Sequence, residues 1–286
     1  HYYKSLGDFI PPLTKHLNTH MNYLLLSAGG MGSTILQRLI TLVYHIENVE
    51  IINTHDIVNK VLTLDSDNNV RRNGKIQYGQ SLKEVESVLD KSNTNTSLMS
   101  RLSKDHMDFR KDNAQDTNKF YEFLKKFYEK QIFCERENVF ELAMSLSIKQ
   151  KSEVYNIFSD EHRKAVSEVS NVDERFFIEK INGYLDYRGW IADNFANADV
   201  VSYEDLITNT DDVLAKITGY KDTLRKHFGL PMSTILRLEY QNKNLSDQES
   251  TALSLYKQLC DTLIKNGTLR EVPIKNILRH RSKFVI

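Results

Sequence analysis

Gly29, Gly30, Gly32, Ser33 and Thr34, with Met31 between the second and third glycine, are the residues whose types and spacing best suit a chemical task. Glycines let a backbone turn tightly and approach a ligand closely. Backbone N–H groups at the start of a following helix hold phosphate oxygens, helped by the helix dipole. Ser33 and Thr34 add hydroxyl donors. The same residues also fit a plain strand-to-helix turn with a serine-threonine cap. A kinase-like or ATPase-like loop needs a lysine directly after its last glycine, to reach the distal phosphates. Here Ser33 follows Gly32, which argues against ATP chemistry. Arg136 is a second anion candidate, because an arginine at a strand end can fork across a phosphate. Ser145 lies more than two helical turns further on, and its hydroxyl can close on the same anion. The competing reading pairs Arg136 with Glu135, Glu137 or Glu141 at the surface, where such pairs contribute little.

These residues need elements that hold them. The apolar run Tyr23-Leu24-Leu25-Leu26 reads as a strand entering the glycine turn. Ile35, Leu36, Leu39, Ile40 and Val43 then recur at helical spacing to about His45. Val49 to Ile52 is a candidate second strand, and Ser97 to Leu102 a third that delivers Lys104, Asp105 and His106 at its end. Asp116 to Lys130 predicts an amphipathic helix, Gln131 to Cys134 a short strand and Val139 onward another helix. A long helix is expected over roughly Asp173 to Asn194, a late strand over Asp199 to Tyr203, and a helix over Thr210 to Tyr220. Pro231 opens a looser C-terminal region, and 231–286 reads as a C-terminal helical extension with a helix over Asp247 to Lys265. The polar stretch 63–81 reads as an inserted loop or lid, with a hairpin turn at Asn73-Gly74. Short apolar strands alternating with helices predict an α/β fold in one domain over 1–286: three layers, with a central, mostly parallel sheet flanked by helices. In such sheets ligands bind beyond the carboxyl ends of the strands. Gly29 to Thr34, His106 and Arg136 all follow predicted strands.

Composition sets outer bounds. The chain has 286 residues, 40% of them hydrophobic, and its 38 basic side chains balance its 38 acidic ones. No general attraction to nucleic acid or to an anionic membrane follows from that balance. Cys134 and Cys260 are the two cysteines, and neither a disulfide framework nor metal-ligand spacing is read from them. No apolar run long enough to span a membrane and no signal-peptide pattern is read. The expectation is a soluble, cytoplasmic protein.

The stretch SAGGMGSTILQRL resembles the 5′-phosphosulfate loop of the PAPS-dependent sulfotransferases. Gly29 stands at that family's usual proline position and Gly30 at its usual basic position. Met31, Gly32, Ser33 and Thr34 continue the pattern, and Ile35 and Leu36 match its apolar pair. Cys134 to Ser145 resembles the family's 3′-phosphate segment, with Arg136 and Ser145 matching at a spacing one residue longer than is commonest. Lys104-Asp105-His106 resembles a Lys-Thr-His segment of cytosolic members. Val200 to Ile207 with Asp212 to Thr218 resembles a late strand and its Tyr-Glu-Asp/Glu-Leu turn. The resemblance implies the P-loop-like sulfotransferase fold and transfer of a sulfuryl group from PAPS, leaving PAP, to an acceptor hydroxyl or amine. It implies that Gly29 to Thr34 hold the 5′-phosphosulfate and that Arg136 and Ser145 hold the 3′-phosphate. His106 is then the base, with Lys104 beside the bridging oxygen. Asp56 is the alternative base, by likeness to glycan-modifying members that carry a carboxylate after the second strand. His106 also fits a partly exposed loop residue. No metal is required. The acceptor is a small molecule, a glycan or a peptide, and neither nucleic acid nor membrane is an expected partner. With glycine at position 30, another side chain must supply the family's positive charge. Two other readings stand beside this one: a divergent P-loop nucleotide or small-molecule kinase, and a PAP-binding protein without catalysis.

Overall fold

A computed structural model of the chain describes residues 20–58, 60–76, 80–103, 114–154, 160–241 and 244–269. The first strand, β1 (Tyr23–Leu26), is buried at every residue. Four apolar side chains in succession leave no polar face, so this strand belongs inside a sheet covered on both sides. The chain then turns through the glycines into α1 (Ser33–Ile46). Next come β2 (Ile51–Asp56), the hairpin strands β3 (Lys60–Leu64) and β4 (Val70–Ile76), α2 (Leu82–Asp90) and β5 (Ser97–Leu102). The second half runs through α3 (Ala114–Phe127), β6 (Lys130–Glu135), α4 (Val139–Ser152), α5 (Asp160–Ser167), α6 (Glu174–Asn194) and β7 (Asp199–Ser202). It continues with α7 (Tyr203–Thr208), α8 (Thr210–Thr218), α9 (Thr223–Phe228), α10 (Met232–Gln241) and α11 (Asp247–Lys265).

Five strands form one sheet in the order β2-β5-β1-β6-β7, and every neighbouring pair is parallel. Alternation along β1 sends its side chains to opposite faces. On one face the Tyr23 hydroxyl meets that of Tyr44 in α1 at 2.8 Å. On the other, Ser100, which pairs with Leu24, accepts a hydrogen bond from the Tyr128 hydroxyl at 2.6 Å. Phe133, beside Leu26, packs on Tyr187 of α6. The result is a three-layer α/β fold with a parallel central sheet; one large apolar cluster runs through all three layers, and a small second one joins Ile148 to Val166.

The strand order has a consequence for any ligand. From β1 the chain crosses to β2 on one side, and from β6 it crosses to β7 on the other. Connections that part in opposite directions open a crevice beyond the carboxyl ends of the two strands. The glycine turn follows β1 and Arg136 follows β6.

Several expectations need correction. The second strand extends over Ile51–Asp56, further than the apolar run suggests, because β5 continues to pair with it past a bulge between Asn53 and His55. The stretch 63–81 is largely a β-hairpin whose turn is at Asp65 to Asn69, and Asn73-Gly74 falls inside β4. Asp65 closes that turn by accepting the N–H groups of Asp67 and Asn69 at 3.0 and 2.9 Å, with Asn68 in the left-handed region at φ 60°. A local side-chain turn of this kind outcompetes the Asn-Gly pair further along. Leu62 and Val70 of the hairpin are buried. Pro231 does not open a loose region. Its carbonyl accepts from Thr234 and Ile235, and it leads directly into α10, which buries Met232, Ile235, Leu236 and Leu238.

Candidate functional site

The glycine turn is shaped by two backbone conformations that favour glycine. Gly30 has φ 85° and Gly32 has φ 83°. A Cβ at Gly30 would lie 2.8 Å from Leu142 Cδ1, and one at Gly32 would lie 2.6 Å from Tyr203 Cδ2. The turn is therefore packed between α4 and the start of α7. Gly29 and Gly30 face Leu142 and Leu146, and Gly32 faces the Tyr203 ring. The missing basic residue at position 30 thus has a structural reason, since no side chain fits there without displacing Leu142.

The turn presents donors. Gly32 caps α1 and has no side chain to satisfy the first N–H groups. The carbonyl of Gly32 accepts from Ile35 and Leu36, both at 3.0 Å. Among the described residues, the N–H groups of Gly32, Ser33 and Thr34 have no hydrogen-bond partner. Ser33 is buried and accepts a hydrogen bond from Ser27 Oγ at 2.8 Å, so its hydroxyl braces the turn from below. Thr34 is exposed at the mouth, and Met31 is buried with its sulfur 3.2 Å from the Ala28 N–H.

Arg136 stands on the other side of the crevice, with its side chain 11% exposed. Its guanidinium lies 3.9 Å from the centroid of the Tyr203 ring, so one aromatic side chain touches both the glycine turn and the arginine. Nη2 is 3.4 Å from Glu141 Oε2. Nε is 3.1 Å from Glu204 Oε1, close enough for an ion pair but not aligned as a hydrogen bond. Glu204 also accepts the N–H groups of Glu137 at 3.1 Å and Asn138 at 3.4 Å, which ties the strand end to α7. The Tyr184 hydroxyl accepts from the Arg136 N–H at 3.1 Å and donates to the Arg136 carbonyl at 2.8 Å. The carboxylate pairing foreseen with Glu141 is present, and Glu204 adds to it.

Ser145 is half-buried on α4. Asp56 ends β2, is buried, and lies with Oδ2 3.7 Å from Arg101 Nε, while its Oδ1 accepts the Val58 N–H at 3.2 Å. It therefore occupies the carboxyl end of the sheet as half of an ion pair. Lys104 and His106 lie outside the described residues. Burial pushes the Cys134 thiol up to about 12, with Arg101 pulling the other way. Among the described residues no group of three His, Cys, Asp or Glu side chains is placed to hold a metal, and no helix is long and apolar enough to cross a membrane.

Sequence reasoning missed four participants. Leu142 and Leu146 fall in the helix expected from Val139 onward with no role assigned to them, yet they wall the glycine turn. Arg101 is the one charged residue of β5, in a strand that is otherwise buried, and a charge there is itself a signal. Lys149 shares the helical face of Leu142, Ser145 and Leu146, a spacing visible in the sequence once α4 is drawn.

Compared with protein-family models and with curated proteins, the chain matches none. The fold and the crevice carry the functional reading: a parallel α/β scaffold of the nucleotide-binding and small-molecule-binding kind, compatible with catalysis.

Proposed function

We propose that the chain transfers a sulfuryl group from PAPS to an acceptor hydroxyl or amine. The observation that supports this reading most is the joining of the glycine turn to Arg136 through Tyr203, at the crevice between β1 and β6. The residues fit the donor's two anionic ends. Gly32, Ser33 and Thr34 offer main-chain donors to the 5′-phosphosulfate, in a cradle that a Cβ at position 30 or 32 would fill. Arg136, with Ser145 on the following helix, would hold the 3′-phosphate. PAPS when bound supplies the sulfuryl group. The protein's part is to position the donor, exclude water and place donors where charge gathers on the bridging oxygen. His106 is the proposed base and Lys104 its neighbour; Asp56 is the alternative base, at the same end of the sheet.

Isothermal calorimetry with PAP tests the donor assignment. Saturable binding that weakens at least tenfold in Arg136→Ala is expected, since a charge-assisted contact to phosphate is lost. Absence of binding by the intact protein, or an affinity indifferent to the substitution, overturns it. Acceptor-dependent sulfate transfer then tests the reaction.

A second reading is favoured by one observation. Position 30 has no room for the basic side chain, and Arg136 is held by two carboxylates. These features suit a protein that binds PAP without transfer. Saturable PAP binding with no transfer across an acceptor panel would select it.

A further inference from the structure

The helix α4 that walls the glycine turn carries a cation with no partner among the described residues. Residues 142, 145, 146 and 149 share one face of that helix. Leu142 and Leu146 on this face contact Gly30 and Gly29. Long helical side chains point back toward the helix N-terminus, so Lys149 extends from the turn beyond Leu146 back toward the end of β6. Lys149 is half-buried and, among the described residues, its ammonium makes no ion pair and no hydrogen bond. Burial holds its ammonium below the ordinary lysine range, and the neighbouring Arg136 guanidinium pushes it the same way. The carboxylates that face Arg136 are Glu141 on α4 itself and Glu204 on α7. The turn from Gly29 to Thr34 brings no titratable group. A partly desolvated cation beside a second cation is costly without an anion. The free main-chain donors of the turn against which this wall packs mark where an anion would be held.

We propose that Lys149 supplies the positive charge that the glycine turn cannot carry at position 30, and that it contacts the 5′-phosphate end of the bound adenosine bisphosphate. This assignment rests on the reading of the turn as the donor's phosphate site. The charge enters from the helix wall and leaves the turn free to pack against Leu142.

The test titrates the intact protein, Lys149→Gln and Lys149→Arg with PAP, with adenosine 3′-monophosphate and with pyrophosphate, by calorimetry. Lys149→Gln is expected to weaken PAP roughly tenfold or more while leaving the 3′-monophosphate within about twofold, and Lys149→Arg is expected to restore most of the loss. Wild-type affinity for PAP should fall as pH rises toward the ordinary lysine range and the ammonium deprotonates, whereas the Lys149→Arg profile stays flat over the same series. Thermal melting of Lys149→Met separates this role from a structural one. Its midpoint should equal or exceed the wild type, because a partly buried, unpaired charge has been removed. Equal PAP affinity in wild type and Lys149→Gln overturns the role of Lys149 and leaves the donor reading standing. No PAP binding, with pyrophosphate binding that is lost in Lys149→Gln, overturns the donor reading and upholds Lys149. Binding of neither ligand overturns both.

Discussion

Two glycines at one turn face different neighbours, and the difference is measurable. Gly30 and Gly32 both have φ near the left-handed value, so alanine at either is strained by roughly 1–2 kcal/mol. Gly30 would meet the tip of a leucine, which can move. Gly32 would meet the Tyr203 ring, which is held on its face by Arg136. Gly32→Ala is therefore expected to cost more, roughly 3 kcal/mol against about 1.5 for Gly30→Ala, in urea-denaturation midpoints. Equal costs would mean that the ring yields as easily as the leucine. The glycines were legible as a turn from their type alone. Their neighbours were not, because Leu142 and Tyr203 come from segments far along the chain.

At the scale of elements, α1 is fastened to the C-terminal helices by a buried ion pair. Arg38 Nη1 and Nη2 lie 3.4 and 3.5 Å from the two carboxylate oxygens of Glu239 in α10. The guanidinium also stands 5.5 Å from the centroid of the Tyr256 ring in α11. Burial raises the Glu239 carboxyl above its ordinary value, and Arg38 only partly counters this. A carboxyl raised on folding adds stability that is fully present below its unfolded pKa and is lost as pH rises through the folded value. Arg38→Ala leaves that carboxylate uncompensated, with an expected cost of roughly 3 kcal/mol near pH 8 that shrinks on acidification as Glu239 takes up a proton. Glu239→Gln is expected to cost roughly 3 kcal/mol at pH 8 and pH 5 alike, because the buried Arg38 guanidinium cannot shed its charge when the carboxylate is removed. Denaturant melts at pH 8 and pH 5 check both, and a pH-independent loss in Arg38→Ala would contradict the sign. Elements were well legible where local signals are strong. β1, β5 and α11 fall on their expected bounds, and α11 carries a Ser246–Glu249 capping box. The helices α5, α7, α9 and α10 were missed; Asp160–Ser167, Tyr203–Thr208 and Thr223–Phe228 are too short for a periodic pattern, and Pro231 reads as a break just before α10.

Across the whole molecule, one apolar cluster joins the sheet to the helices on both faces, and both cysteines lie in it. Burial raises Cys134 to about 12 and Cys260 to about 11. Neither thiol is therefore expected to react with iodoacetamide at pH 8 in the native protein, and both should label together on unfolding. Mass spectrometry of pulse-labelled samples across a urea series reads this. Labelling of Cys260 well before Cys134 would show that the C-terminal helices open separately. The proposed site is likewise a property of the whole sheet. It lies where β1 and β6 send their connections in opposite directions, and that divergence depends on strand order.

The chain's own order of residues specifies the strand, glycine turn and helix from Tyr23 to Ile46, because each depends on neighbours within a few positions. The α/β alternation follows for the same reason. Tertiary structure alone decided that Arg136 shares an aromatic ring with the turn, that Leu142 closes position 30 to any side chain, and that Lys149 is drawn out of water beside a second cation. Those facts arise from contacts between distant segments brought together by the sheet. Periodicity and propensity report only on local geometry, so they carry no record of which distant surface each face will meet.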